Sequence, residues 1–146
     1  MYRSLCIAAI LGIAGCEPTG GGSVGTEQLD EDSGLVTGDD ELPVIEHEEF
    51  TAPQSASQNV TITATITDDN AIFLAQIHYR TQVSTYFFTT SLNPQSLTDY
   101  VGSIPSEDLG SGGMHYYIEA VDTSGNIAVL PEGAPSEYFK FDLVAR

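Results

Sequence analysis

Eight residues from Val60 to Thr67 read V-T-I-T-A-T-I-T, with Val60, Ile62, Ala64 and Ile66 on one side and Thr61, Thr63, Thr65 and Thr67 on the other. This period of two matches the alternating faces of an extended chain, and the β-branched side chains favour it further. In a helix the same apolar residues would be spread around the circumference, so a helix is excluded here. The strand has one side to bury and therefore requires a partner layer. Asp68, Asp69 and Asn70 follow it as a turn.

Similar short runs continue to the C-terminus. Ile72 to Thr81 predicts a second strand, with Phe73, Ala75, Ile77 and Tyr79 on the core face and Leu74, Gln76, His78 and Arg80 on the other. Ser84 to Leu92 is its hairpin partner, ended by Asn93-Pro94, and Leu97 to Ile104 is a fourth strand that turns Tyr100 and Ile104 inward. Ser106 to Gly113 reads as a loop. Met114 to Asp122, Ile127 to Leu130 and Tyr138 to Val144 complete the set, the last with Phe139, Phe141 and Leu143 on one face. A short first strand lies near Val44 to Glu46 or Phe50. No amphipathic helix of useful length is present. The expected fold is all-β, a single antiparallel β-sandwich of seven or eight strands covering residues 43–146.

The N-terminus has a different character. Arg3 precedes a nine-residue apolar run from Leu5 to Ile13, too short to cross a bilayer and of the right length for a signal peptide. Ile13, Ala14, Gly15 and Cys16 close this run. That stretch resembles the lipobox of bacterial lipoproteins, and the resemblance implies removal of residues 1–15 and a diacylglyceryl group on Cys16. The only other cysteine, Cys6, falls in the removed segment, so the expected domain has neither disulfides nor cysteine-bound metal. Residues 16–42 read as a disordered, acidic, Gly-rich linker that holds the domain away from the membrane. The lipobox resemblance places the protein in the bacterial cell envelope, lipid-anchored. Glu17 after the cysteine points to the outer membrane or cell surface.

The formal charge of −17 is concentrated upstream, with eleven acidic and no basic residues from Glu17 to Glu49. Its main expected role is solvation and spacing, with an acidic docking peptide around Asp39 to Glu49, for a basic partner or for calcium, as the sharper alternative. Nucleic acid is excluded as a partner, because Arg80, Lys140 and Arg146 are the only lysines and arginines after residue 42.

Within the domain, Ile104 to Asn126 carries I-P, a Gly-rich loop and then Y-Y-I-E-A-V-D-T-S-G-N. This resembles the late strands of immunoglobulin-like and fibronectin type III-like modules of bacterial surface proteins. The resemblance implies a binding module for an envelope or extracellular protein or a glycan. With no tryptophan in the chain, the antibody-type core is not implied.

Three groups of residues are candidate sites. The turns at Asp68 to Asn70 and Asp122 to Asn126 fall at one pole of such a sandwich, where Asp68, Asp69, Asn70, Asp122 and Asn126 would suit calcium or simply close their own turns. No other cofactor is implied. Joining Ile72 to Val121 in an antiparallel pair would set His78 opposite His115, with Glu119 on the same face as a third ligand for zinc. The aromatic side chains Tyr86, Phe87, Tyr116 and Tyr117 offer contact surface for a partner.

No G-x-S-x-G elbow or S-x-x-K arrangement appears, and the paired carboxylates Glu107-Asp108 and Asp68-Asp69 are too close in sequence to face one another across a cleft. A non-catalytic binding role is therefore expected. A small metal-dependent hydrolase using His78, His115 and Glu119 and a spacer subunit of a surface assembly are the competing readings.

Overall fold

The computed structural model describes residues 38–144. Cys16, the expected signal peptide and the linker up to residue 37 lie outside the described residues. Eleven strand segments form: β1 (Val44–Glu46), β2 (Gln54–Ser55), β3 (Val60–Thr67), β4 (Ile72–Thr81), β5 (Phe88–Ser91), β6 (Asn93–Pro94), β7 (Asp99–Ile104), β8 (Met114–Asp122), β9 (Ile127–Leu130), β10 (Phe139–Phe141) and β11 (Leu143–Val144). The one helical element among them is a 3-10 turn at Ser106–Asp108. No helix among the described residues is long and apolar enough to cross a membrane.

The strands make two antiparallel sheets facing each other over one core. One has the order β1-β3-β7-β6, and the other has the order β10-β8-β4-β5, with β9 also paired to β8. A short parallel pair, β2 with β11, stands apart from both. The alternation in β3 sends Val60, Ile62, Ala64 and Ile66 into the core and its threonines outward. From the opposite sheet Ile77, Tyr116 and Ile118 meet them, each fully or almost fully buried. Burying an aliphatic side chain of this size contributes about 1.5–3 kcal/mol.

Several expected strands are shorter or divided. The run Tyr138 to Val144 splits into β10, which joins β8, and β11, which joins β2. β9 and β10 occupy the same edge of β8 end to end, at Ile118–Val121 and Met114–Tyr116 respectively. The turns between Pro131 and Ser136 separate them, since prolines supply no ladder amide. The strand expected to begin at Ser84 is regular only from Phe88, because Ser84 folds its hydroxyl back onto the Tyr86 carbonyl at 2.9 Å.

The core face of β4 requires one correction. Ala75, Ile77 and Tyr79 point inward as expected, but Phe73 is 74% exposed. A bulge causes this: Ile72 pairs with Asp122 and Leu74 with Val121, leaving Phe73 without a partner. Ile72 packs against the core in its place.

The chain changes sheet at Leu92, which donates its amide to the Ala75 carbonyl at 2.9 Å before β6 pairs with β7. Close approach here depends on Gly102. A Cβ at that position would lie 2.5 Å from the Ser91 carbonyl oxygen and 2.8 Å from Ile77 Cδ1. Tyr79 donates its hydroxyl to Asp108 at 2.6 Å, tying β4 to the 3-10 turn. Burial and that nearby carboxylate both push the phenol well above its usual range.

Candidate functional site

At one pole the turns after β3 and β8 meet, and the Thr123 amide reaches the Ala71 carbonyl at 2.9 Å. All five predicted oxygen-bearing residues gather there. Asp68 accepts the Asn70 amide at 2.8 Å, and Asp122 accepts both the backbone amide and the side-chain amide of Asn126 at 2.8 Å. Asp122 is only 1% exposed. Burial alone would raise its pKa, but hydrogen bonds from Asn126 and Gly125, with the neighbouring Asp39, hold the carboxyl below its ordinary value.

Asp39, expected only as the start of an acidic docking stretch, is a further member of this pole. Its carboxylate accepts from Asn70 Nδ2 at 2.6 Å and from Asn126 Nδ2 at 3.2 Å. Residues that were expected to belong to the linker thus belong to the folded unit, and Pro43 is buried. Carboxylate oxygens of Asp39, Asp68 and Asp69 lie within 4.8 Å of one another. The amides of Asn70 and Asn126 serve as the donors that allow these acidic side chains to cluster.

The outer face of the five-stranded sheet has the opposite character. Alternation sends Leu74, Gln76, His78 and Arg80 of β4 and His115, Tyr117 and Glu119 of β8 to this side. The register pairs Arg80 with His115, His78 with Tyr117 and Gln76 with Glu119. His78 therefore does not stand opposite His115 as expected. The pairing is displaced by two residues, one of them accounted for by the bulge. Each imidazole stacks on a tyrosine instead: His78 on Tyr117 at 4.4 Å and 4°, and His115 on Tyr138 at 4.3 Å and 24°. His78 Nε2 lies 3.6 Å from Glu119 Oε1, an ion-pair distance without a hydrogen bond.

Arg80 lies near the end of β4, opposite His115 at the start of β8. Its guanidinium carbon is 4.5 Å from the centre of the Phe87 ring and 5.0 Å from that of Tyr138, and Lys140 Nζ is 5.4 Å from Tyr138. Phe87 also meets Tyr117 edge-on at 5.1 Å. Beneath these groups His115 is 9% exposed. Burial, together with the positive charges of Arg80 and Lys140, lowers its pKa. Arg80 Nε, His115 Nδ1 and His78 Nε2 are buried without hydrogen-bond partners.

The aromatic residues named from the sequence separate by face. Tyr86 is 80% exposed on the β4–β5 hairpin, whereas Phe87 and Tyr117 lie on the outer face. Tyr116 points into the core, with its hydroxyl 2.8 Å from His47 Nε2. It offers no surface to a partner, and Tyr117, although on the outer face, is itself only 8% exposed beneath His78 and Phe87; both results correct the expectation. Arg80, Tyr138 and Lys140 were not singled out by sequence reasoning. The available signal was the position of two of the rare cations on outward-facing sites of strands.

The outer side of the other sheet bears a cleft of about 560 Å³ lined by Thr63, Thr65 and Asp99 with Glu46 and Glu48. The two outer faces thus differ in charge and in aromatic content.

No protein-family model matches the chain, and no curated protein matches it. Among solved structures, the endo-beta-1,4-mannanase from Thermotoga petrophila is similar, with a TM-score of 0.51 and 11% identity. The match covers 74% of this chain and 21% of the mannanase chain, and it is a likeness of fold.

Proposed function

We propose that the protein is a lipid-anchored bacterial envelope lipoprotein whose immunoglobulin-like or fibronectin type III-like module binds a glycan or protein, without catalysis, through the outer face of the five-stranded sheet. The observation that carries this reading is the placement of Arg80 between Phe87 and Tyr138. Rigid aromatic side chains and arginine are the groups most often responsible for binding energy at protein surfaces. Stacking of His78 and His115 on separate tyrosines, two register positions apart, weighs against joint metal ligation.

Strand order supports the module type. The sequence β1-β3-β7-β6 follows the A-B-E-D order of immunoglobulin sandwiches, and β10-β8-β4 follows G-F-C, with β5 as an added strand. The mannanase likeness makes β-linked mannans reasonable first glycans to test. The lipobox-like Ile13 to Cys16 supports anchoring of the module at the outer membrane or cell surface.

Two measurements test the proposal. Cys16→Ser should abolish incorporation of labelled fatty acid into the full chain; equal labelling of the variant would remove the anchor. The detergent-solubilised full chain should capture a glycan or envelope protein in an array and pull-down, and Phe87→Ala should weaken that capture. Capture that is insensitive to Phe87 would place binding elsewhere.

A further inference from the structure

We infer that Arg80, held between Phe87 and Tyr138, receives the carboxylate of an acidic polysaccharide, with Lys140 as the second cationic contact. The inference rests on the proposed binding role of this face and specifies the chemistry of its ligand.

The charge distribution gives the first reason. Among the described residues there are sixteen Asp and Glu but only two Lys and Arg, namely Arg80 and Lys140. With carboxylates in such excess, both cations would be expected to sit in ion pairs. Neither does: the one charge pair among the described residues is His78 with Glu119. Both cations instead lie against the Tyr138 ring on the same face. The Arg80 side chain has no hydrogen-bond acceptor among the described residues; its Nε is buried, which leaves the two Nη groups as the donors open to a ligand. A guanidinium fork with unused donors is suited to a carboxylate, which can accept two parallel hydrogen bonds from it.

The surrounding groups favour a sugar over an acidic peptide. The site lies on a sheet face, where backbone amides are committed to the ladders, so a peptide could not gain the main-chain bonds available at a sheet edge. Phe87 and Tyr138 are only partly buried, and the apolar surface they leave beside Arg80 suits the C–H face of a pyranose. Long-range charge narrows the choice further. A net −17 repels a continuous polyanion, while screening over about 8 Å at physiological salt leaves a single carboxylate free to find Arg80. The expected ligand is therefore a largely neutral polysaccharide carrying isolated uronic acids.

The test uses the detergent-solubilised full chain, with glucuronoxylan as the probe in affinity electrophoresis and calorimetry. Carboxyl-reduced glucuronoxylan, galactomannan and poly-glutamate serve as comparisons. Glucuronoxylan should bind best, and carboxyl reduction or Arg80→Gln should each weaken binding by about tenfold or more. Lys140→Gln, at an exposed position, provides a second variant if Arg80→Gln fails to fold, and it should weaken binding and reduce its salt dependence. Equal binding of the reduced polymer or of galactomannan, abolished by Phe87→Ala, would overturn the acidic ligand while leaving a glycan-binding face. Stronger binding of poly-glutamate would overturn the polysaccharide class. Failure of all four probes to bind would overturn the inference, and the array and pull-down would then show separately whether the face has another partner.

Discussion

The side-chain amide of Asn126 donates to the Asp39 backbone carbonyl at 3.0 Å and to its carboxylate at 3.2 Å, across 87 positions of sequence. This contact fixes the point at which the chain enters the sandwich. Asn126→Ala should release Asp39 and the residues that follow it, and stability should fall by about 0.5–1.5 kcal/mol for each hydrogen bond lost. Amide exchange at Asp40 to Leu42 and denaturant unfolding would show both effects. Unchanged protection there would mean that the contact does not hold the segment.

Acid should weaken the same pole. The folded state holds the Asp122 carboxyl below its ordinary pKa of 3.8, so the unfolded chain binds the proton more readily. The resulting stabilisation is fully present above the ordinary value and is lost as pH falls through the lower, folded one. Stability followed from pH 5 downward should therefore decline, and Asp122→Asn should flatten part of that decline. A variant whose pH profile is as steep as that of the parent would assign the acid sensitivity to other carboxylates.

Two apolar residues on β4 should behave oppositely. Ile77→Ala empties a fully buried site and should cost about 2–5 kcal/mol. Phe73→Ala, on the outward bulge, should stay within about 0.5 kcal/mol. Similar losses from both would show that Phe73 turns inward and that the bulge is absent in solution.

Gly102→Ala should destabilise by about 1–3 kcal/mol, because the added methyl meets the Ser91 carbonyl and Ile77 together. The combined variant Gly102→Ala with Ile77→Val relieves one of these contacts. It should be less destabilised than the sum of the two changes, and strict additivity in thermal melts would contradict the shared contact.

Sequence patterning is most informative where one face alone is apolar. The alternation of Val60 to Thr67 specifies both the strand and its buried side, as the structure bears out. In Met114 to Asp122 both faces carry apolar or aromatic groups, so periodicity cannot decide which of Tyr116 and Tyr117 enters the core. Register is less legible still. Period two survives any even slip, and a bulge adds an odd one that is visible only in the pairing of Ile72 with Asp122. The polar pole was legible as a gathering of Asp and Asn, since Asp68 to Asn70 and Asp122 to Asn126 both read as turns at one end. Asp39 was legible only as the start of an acidic docking stretch and not as part of this pole, because its surroundings are those of a linker and its donors lie 31 and 87 residues away. The aromatic and cationic face was partly legible through Phe87, Tyr117 and the histidines. The cluster around Arg80 depends on Tyr138, which immediately precedes β10 and so comes from a distant part of the chain.

The crossing at Leu92 also has a mechanical meaning. The stretch Phe88 to Pro94 pairs with β4 on one side of the crossing and with β7 on the other, so a single segment is anchored in both layers. A pull applied between β1 and β4 loads the two layers in opposite directions. The layers cannot slide apart without stripping this segment from one of its ladders. Under tension the sandwich should therefore hold as one body and yield in a single rupture, rather than lengthening gradually layer by layer.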